Sequence, residues 1–464
     1  MVFSSAVFLL LYLPIVFIGN MLIKNEISNY FLLAASILFY AWGEPKLVFL
    51  MIFSILINYC VGVALDKAKG KWRKVFLALG ILLDLSILGY YKYEAFFARI
   101  VNKMFHAQLL PVLNIALPIG ISFFTFQAIS YIVDVYRGDT EASKSIVNVA
   151  LYISFFPQLI AGPIVKYKDI NEQIKKRSIN WIDVSDGFKR FIYGLSKKVL
   201  ISNALGLCVD TIYSFKIETV DCRAAWIAAL AYTFQIYYDF SGYSDMAIGL
   251  GKMFGFTILE NFNYPYLSRS ISEFWRRWHI SLGSWFREYL YIPLGGNKKG
   301  KVRTYINLII VFFLTGLWHG ADMSFVIWGL YHGFFSIIER IGLNKILKKL
   351  KVLPVLYTFF IVNIGWVLFR AKDTITGLRF LIRMFLPWRH PGVYLSVWEY
   401  LDYRTLFFFG CAIIGIGLLK GIPEKIRNKW NNSVIEALYC IGILFLSILS
   451  IASDTYNPFI YFQF

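Results

Sequence analysis

The chain has 464 residues, of which 58% are hydrophobic and 19% aromatic, and its formal net charge at pH 7 is +19. This composition, with repeated apolar runs near the bilayer-crossing length of about 20 residues, excludes an ordinary soluble globular protein. The basic residues are dispersed between the apolar runs, which argues against a nucleic-acid-binding stripe. The sequence predicts an all-α, polytopic membrane protein surrounded by the lipid bilayer.

The apolar runs predict about 11 transmembrane helices if one or two runs dip into the membrane and return. Residues 3–23 are the first predicted span, because they lack the basic segment and small-residue cleavage site of a secretory signal. The run at 30–43 and the broken pair around 315–338 are candidate re-entrant or interfacial helices, which must pack in protein or line water. The other runs are 47–65, 75–91, 112–135, 146–165, 190–212, 224–254, 304–319, 323–338, 353–370, 404–420 and 434–452.

The positive charge is concentrated in short loops, a pattern that marks the cytoplasmic face of a membrane protein. With residues 66–74 inside and three spans before them, the N-terminus is expected outside. The same charge would also attract an anionic donor, and the sequence leaves both interpretations open. The basic loops contain Lys67, Lys69, Lys71, Arg73, Lys74; Lys166, Lys168, Lys175, Lys176, Arg177; Lys298, Lys299, Lys301, Arg303; Lys345, Lys348, Lys349, Lys351; Lys420, Lys425, Arg427 and Lys429.

No metal site is predicted. The five cysteines are scattered without metal-ligand spacing, which favours packing roles. His319 and His332 would lie on largely opposite faces of one continuous helix, so they could share a metal only if the helix broke near Gly320 and Asp322. No cluster of His, Cys and Glu completes such a site. His332 is otherwise expected to make a structural hydrogen bond, as are the loop histidines His106 and His390.

The segment 270–296 predicts one amphipathic helix at the membrane interface, which opens at Ser270 and closes at Pro293. Ser270 and Glu273 form a capping-box pattern at its start. Apolar and aromatic residues, Trp275 among them, recur at three- and four-residue steps, while Arg277 falls on the polar side. Such a helix lies along the interface or plugs a vestibule. His279 is then expected at the edge of the apolar stripe.

His319 is the strongest candidate for chemistry. An ionisable side chain at bilayer depth is costly and usually faces a cavity or a partner. Gly316 and Gly320 bracket it and allow close approach of backbone or substrate, and Trp318 offers a ring to shape the space. A purely structural role remains open on these observations alone.

Further polar residues interrupt the apolar runs. They either face a passage or hydrogen-bond to one another and hold helices together. Lys197 and Lys198 lie near the end of a predicted span, where long basic side chains usually extend toward the interface. The candidate passage residues are Gln127, Asp239, Ser241, Tyr243 and Asp245, and Asp134 is treated in the same way.

Several stretches resemble the membrane-bound O-acyltransferase (MBOAT) family. WHGADMSFVIWGLYH, residues 318–332, is similar to the signature region of the family. EFWRRWHISLGSWFREYLYIPLGG, residues 273–296, is similar to the second motif of its alginate O-acetyltransferase-like bacterial branch. Similar landmarks follow in order along almost the whole chain at 117–138, 155–167, 237–255 and 457–464.

The resemblance implies a single membrane domain over residues 1–464. Its N-terminal helices would span 3–110, its motif-bearing core 111–340 and its C-terminal helices 341–464. The helices would surround a central passage that a donor enters from the cytoplasm and an acceptor from outside. This implies a multi-pass protein of the bacterial cytoplasmic membrane.

The resemblance also implies an O-acyltransferase. Acyl transfer from a thioester to a hydroxyl needs a base, and histidine has the side-chain pKa closest to neutrality. His319 matches the family's most constant histidine and is the expected base. His279 matches the second and is expected to donate to the oxyanion or to orient the acceptor. Trp318, Asp322, Trp275, Arg277 and His332 are further expected passage residues.

The expected donor is acetyl-CoA or an acyl-carrier thioester, used as a substrate, with no tightly bound cofactor. The expected acceptor is an exported polysaccharide, reached directly or through an extracytoplasmic partner acyltransferase. D-alanyl transfer to teichoic acid from an acyl-carrier protein is an alternative within the same chemistry. A proton-coupled transporter, in which intramembrane histidines relay protons, is the alternative from another class.

Overall fold

The computed structural model describes residues 1–23, 25–386, 388, 396–417, 433–453, 456 and 460. Secondary structure within these residues is helical, without a β-strand, as predicted. None of the five cysteines forms a disulfide. Three sequence features lie outside the described residues: His390, the basic loop at 420–429, and the closing motif at 457–464 apart from Ile460.

The described chain forms two compact units. The first consists of Met1–Phe191 and Met246–Leu259. Two helices, α10 (Trp181–Ser196) and α12 (Cys222–Met253), carry residues of both units. The other helices of the first unit are α1 (Leu13–Leu22), α2 (Asn25–Gly43), α3 (Val48–Lys67), α4 (Lys71–Leu88), α5 (Glu94–Met104), α6 (Ile121–Arg137), α7 (Ile146–Ser154), α8 (Phe156–Leu159) and α9 (Tyr167–Lys175).

The second unit consists of Ile192–Asp245 and Glu260–Phe464. Its core is aromatic and includes Trp278, Trp328 and Trp366. Its further helices are α11 (Asn203–Ser214), α13 (Ile271–Arg277), α14 (Ile280–Phe286), α15 (Gly300–His319), α16 (Met323–Ile338), α17 (Asn344–Leu347), α18 (Leu353–Arg370), α19 (Thr374–Phe385), α20 (Tyr403–Gly415) and α21 (Ser433–Ser453).

Six helical segments of the described chain are long and apolar enough to cross a membrane, and three shorter apolar helices accompany them. The protein is therefore a multi-pass membrane protein, while the count of about 11 crossings and the outside N-terminus stay predictions. The six segments are Val48–Lys67, Lys71–Met104, Trp181–Ser214, Gly300–His319, Leu353–Arg370 and Val434–Ser453; the shorter helices are Phe8–Leu22, Ile27–Gly43 and Tyr403–Gly415.

Two predicted apolar runs are not single helices. In the run at 112–135, the helix begins only at Ile121, because Gly120 has a left-handed backbone with φ 74°. The run at 146–165 ends its first helix at Ser154 and includes only one further turn, Phe156–Leu159. Pro157 suits the first turn of a helix but cannot continue the preceding one, because it lacks a backbone N–H.

The predicted helix from Ser270 to Pro293 is also wrong as one continuous element. Ser270 does cap its start, accepting a hydrogen bond from the Glu273 amide at 3.0 Å. The Glu273 carboxylate, however, accepts from the Arg269 amide at 2.9 Å instead of completing the capping box. The helix stops at Arg277, and His279 has a left-handed backbone with φ 46° before α14 starts. His279 therefore lies in a sharp turn and not on an amphipathic stripe.

Candidate active site

The α15–α16 hairpin places His319 at the last position of a helix. Gly320 follows in an extended conformation, and the Asp322 side chain caps α16 by accepting from the Ser324 amide at 2.9 Å. The two helices approach closely, because a Cβ at Gly316 would overlap the Phe325 carbonyl. The helix break near Gly320 and Asp322, which the sequence left open, is thus present.

Aromatic rings enclose the His319 imidazole. Trp318, Trp328 and Phe369 contact it edge to face, with ring centroids 5.0, 5.1 and 5.3 Å away. The side chain is only 3% exposed. An imidazole in such apolar surroundings is held in one orientation and away from bulk water, both of which favour a defined role in proton transfer.

His279 is held by the Asn261 amide. The Asn261 Oδ1 atom accepts from the Ser281 backbone N–H at 3.1 Å and from the Ser281 hydroxyl at 2.8 Å. The Asn261 amide nitrogen donates to the Ser244 hydroxyl at 3.0 Å. Because a backbone N–H can only donate, it fixes which end of the amide carries the oxygen. His279 Nδ1 lies 3.2 Å from this oxygen.

This arrangement determines the His279 tautomer. Oδ1 of Asn261 only accepts, so its hydrogen bond with His279 places the proton on Nδ1, and the neutral ring then presents Nε2 as an acceptor; the Ser281 hydroxyl, 3.4 Å from Nδ1, already donates to the same Oδ1. Burial, with a smaller contribution from nearby His319, holds the pKa of His279 well below its usual value. His279 is therefore neutral near pH 7. Its Nε2 atom can accept a hydrogen bond from a hydroxyl but cannot donate one to an oxyanion.

Trp318 connects the two histidines. Its ring lies 5.0 Å from that of His319 and 5.9 Å from that of His279. A cavity of about 290 Å³ adjoins His279 and is large enough for part of an organic substrate. The cavity is lined by Trp275, Arg276, Ile280, Leu282, Gly283, Ser284, Phe286, Arg287, Val311, Phe312 and Thr315.

Comparison with known proteins decides the family. Residues 140–346 match the model of the membrane-bound O-acyltransferase family. The chain is 41% identical to a probable alginate O-acetylase, AlgI, of Pseudomonas putida, with all of both chains covered. It belongs to the membrane-bound O-acyltransferase family. It is also 46% identical to the AlgI of Pseudomonas aeruginosa, covering 92% of this chain and 84% of that one. A peptidoglycan O-acetyltransferase of Helicobacter pylori is 36% identical, covering 82% and 79%.

The other predicted passage residues of this O-acyltransferase are divided between the two units. Asp322 is a helix cap. Arg277 pairs with Glu273 at 2.6 Å, and the cavity is lined instead by its neighbour Arg276 and by Arg287. Ser241, Tyr243 and His332 are buried in the second unit, whereas Gln127 and Asp134 are buried in the first.

The two lysines near the span end both form ion pairs with aspartates of α12. Lys198 is buried and pairs with Asp239 at 2.7 Å. Lys197 pairs with Asp245 at 2.6 Å. The interpretation that these polar residues hold helices together therefore accounts for both aspartates. Both lysines lie on a π-helical segment, Lys197–Ser202, whose wider turn separates α10 from α11.

Three residues that surround or orient His279 and His319 were not predicted from the sequence. Asn261 orients His279 from a loop in which no periodicity marks it. Trp328 and Phe369 contact His319 from α16 and α18. Trp328 lies within the signature stretch at 318–332, and this position in the sequence could have identified it as a site residue. Phe369 is one of many aromatic residues in an apolar run, and nothing in the sequence separates it from packing residues.

Proposed function

We propose that this O-acyltransferase moves an acyl group, most simply acetyl, from a thioester donor to a hydroxyl of an exported polysaccharide or of a partner transferase outside the membrane. The observation that carries the proposal is the enclosure of His319 by three aromatic rings, with neutral His279 beside the same Trp318. The names of the relatives, which describe O-acetylation of alginate and of peptidoglycan, support an acetyl group and a carbohydrate acceptor.

In the proposed reaction His319 is the general base. As the acceptor oxygen bonds to the thioester carbonyl carbon, its proton passes to the His319 imidazole. When the tetrahedral intermediate collapses, the C–S bond breaks, and the imidazolium returns the proton to the thiolate leaving group. The surrounding rings of Trp328 and Phe369 exclude water, which would otherwise compete with the acceptor and hydrolyse the thioester.

His279 has the orienting role in this proposal. Its Nε2 atom accepts a hydrogen bond, so it can hold an acceptor hydroxyl before transfer, while the hydrogen bond of Nδ1 to Asn261 fixes the ring. This geometry argues against the oxyanion-donor role that the sequence left open. A donor for the oxyanion must then come from another group.

The donor is proposed to arrive from the cytoplasm and the acceptor from the outside of a bacterial cytoplasmic membrane. Acetyl-CoA is the simplest donor, used as a substrate with no tightly bound cofactor, and an acyl-carrier thioester would enter the same reaction. The positively charged loops, including Lys298, Lys299 and Lys301, would attract either anionic donor. An extracytoplasmic partner acyltransferase is proposed as the route to the final polysaccharide.

The test is transfer of label by protein reconstituted in liposomes. Purified protein receives radiolabelled acetyl-CoA, or in a second arm a D-alanyl carrier protein, together with an acceptor glycan or its partner transferase. Wild type should transfer acetyl label, and His319→Asn should reduce the rate by at least about 100-fold, as expected for loss of a general base. Label from the D-alanyl arm alone would select the teichoic acid alternative.

The matched control is His106→Asn. His106 is an exposed histidine in a turn of the first unit, with a positive φ that asparagine tolerates. This variant should transfer at the wild-type rate. Undiminished transfer by His319→Asn would show that His319 is not the general base. Proton-coupled transport without acyl transfer would favour the transporter.

A further inference from the structure

Three rings form a second buried cluster that the proposed reaction does not use. Trp275 of α13 and Trp328 and His332 of α16 contact one another edge to face. Their centroid distances are 5.0 Å between Trp275 and His332, 5.2 Å between Trp328 and His332, and 5.5 Å between the two indoles. Ser336 lies one turn beyond His332 on the same helix. His332, Trp328 and Ser336 are at most 2% exposed.

The polar atoms of this cluster have no hydrogen-bond partner among the residues that the structure describes. They are the indole nitrogens of Trp275 and Trp328, both ring nitrogens of His332 and the hydroxyl of Ser336. Buried polar atoms in native proteins are nearly always bonded to protein, water or ligand. Five of them on four neighbouring side chains indicate that a polar group from outside the chain belongs there.

The cluster adjoins both parts of the proposed active site. Trp328 contacts His319 on one side and His332 on the other. Trp275 contacts His332 and also lines the cavity beside His279. A molecule in this cavity would contact Trp275, which links the cavity to the cluster.

The neighbouring helices give the His332 ring a fixed place. Gly365 of α18 leaves room for the imidazole, since a Cβ there would lie 2.6 Å from Nε2. Glu339, the next carboxylate on the chain, is engaged elsewhere, because it accepts from the Ile271 and Ser272 amides at 2.6 and 3.2 Å. The cluster therefore offers two N–H donors, an imidazole and a hydroxyl without a side-chain charge.

We propose that Trp275, Trp328, His332 and Ser336 form a subsite for a neutral polar group of a substrate, an amide or a hydroxyl. Indole nitrogens donate, while imidazole and hydroxyl groups both donate and accept, which suits such a group better than a carboxylate or a phosphate. The group would be either an amide of the donor's pantetheine arm or a hydroxyl of the acceptor sugar. This inference rests on the proposed acyl transfer and assigns His332 to substrate binding.

The experiment measures KM and kcat for acetyl-CoA and for the acceptor separately, in the reconstituted transfer assay. His332→Phe keeps a flat ring but removes both nitrogens, and should raise the KM for one substrate by about tenfold with a smaller change in kcat. His332→Gln, which retains a hydrogen-bond donor and an acceptor, should raise the same KM by a smaller factor. Ser336→Ala, a smaller change in case the phenylalanine variant does not fold, should raise the same KM by about threefold.

Thr358→Val is the matched control. The Thr358 hydroxyl is also buried in the second unit but is already bonded to the Pro354 carbonyl at 2.8 Å, so its loss should leave both KM values unchanged. A rise in KM for acetyl-CoA supports the donor amide, and a rise for the acceptor supports the sugar hydroxyl.

Two results would overturn the inference. One is unchanged KM values in both His332→Phe and Ser336→Ala, which would mean that the cluster holds water only. The other is an equal rise in Thr358→Val, which would indicate a general packing effect. If the wild-type protein transfers no label, the proposed function is wrong, and the inference, which rests on it, is wrong as well. If the wild-type protein is active and the variants keep its KM values, only the inference is wrong.

Discussion

Lys198 and Asp239 form an ion pair inside the second unit, with Nζ and Oδ1 2.7 Å apart and both side chains at most 2% exposed. Each partner makes a further bond. Lys198 donates to the Asn203 side chain at 3.1 Å, and Asp239 accepts from the backbone N–H of Ile460 at 3.0 Å. The pair thus joins the π-helical segment, α12 and a residue near the C-terminus.

Breaking this pair from one side should strongly destabilise the protein. Lys198→Met leaves the Asp239 carboxylate buried without its cation, and such losses cost about 3–5 kcal/mol. We expect a lower melting temperature in detergent. The double variant Lys198→Met/Asp239→Asn should recover much of this loss, because asparagine is neutral and can still accept from the Ile460 amide.

Lys252 provides the matched control for that experiment. It pairs with Asp183 and Asp186 at 3.2 and 3.1 Å, but its side chain is 38% exposed. Lys252→Met should therefore cost less than about 1 kcal/mol. Equal melting temperatures for Lys198→Met and Lys252→Met would show that the buried pair contributes no more than a surface pair.

The Lys198–Asp239 pair also illustrates which structural features local sequence patterns can predict and which they cannot. Local signals predicted the helical membrane fold and the cap at Ser270. A lysine near a span end has the same local pattern whether it extends to the interface or pairs with an aspartate 41 positions later, as Lys198 does with Asp239. The left-handed turn at His279 was missed for a similar reason: Asn261, from another segment, supplies its hydrogen bonds.

The α15–α16 hairpin should not tolerate a methyl group at Gly316. The added Cβ would overlap the Phe325 carbonyl, which is backbone and cannot rotate away. We expect Gly316→Ala to separate the helices, to destabilise the protein by roughly 1–3 kcal/mol, and to reduce transfer because His319 ends the same helix. Thermal unfolding and the transfer assay measure both effects.

Gly442→Ala, in α21, is the control for this substitution. A Cβ there meets nothing within 4 Å, and alanine favours a helix more than glycine does by about 1 kcal/mol. Its melting temperature should equal or exceed that of wild type. A similar melting temperature for Gly316→Ala would mean that the hairpin can open without cost.

Protonation of His279 should make stability depend on pH. An unfolded histidine binds a proton near its usual pKa of about 6.5, whereas burial lowers the pKa of folded His279 well below that. Below about pH 6.5 the unfolded state therefore binds more protons, so the free energy of unfolding decreases as pH falls, by at most about 1.4 kcal/mol per unit, until pH passes the folded pKa.

His279→Asn removes this dependence without straining the turn, because asparagine tolerates the left-handed backbone at φ 46°. Between about pH 7 and pH 5 its melting temperature should fall less than that of wild type, with each protein referred to its own value at pH 8. Parallel curves for the two proteins would mean that His279 titrates alike in the folded and unfolded states.

The Asn261 amide, which holds His279, should control the pKa of that histidine. Asn261→Asp keeps an acceptor for the Ser281 amide and for His279 Nδ1, but adds a negative charge 3.2 Å from the imidazole. An adjacent carboxylate favours the charged imidazole and should raise the pKa of His279. The protonated ring can no longer accept a substrate hydrogen bond, so the acid limb of the pH–rate profile should move to higher pH.

Asn363→Asp separates this effect from the general cost of a buried charge. Asn363 is equally buried in the second unit, where its amide donates to the Ala229 carbonyl and the Thr233 hydroxyl. Both variants should lose stability, but only Asn261→Asp should shift the acid limb, because Asn261 is hydrogen-bonded to His279 whereas the amide of Asn363 is bonded to Ala229 and Thr233. A shift in both, or in neither, would show that the protonation state of His279 does not control transfer.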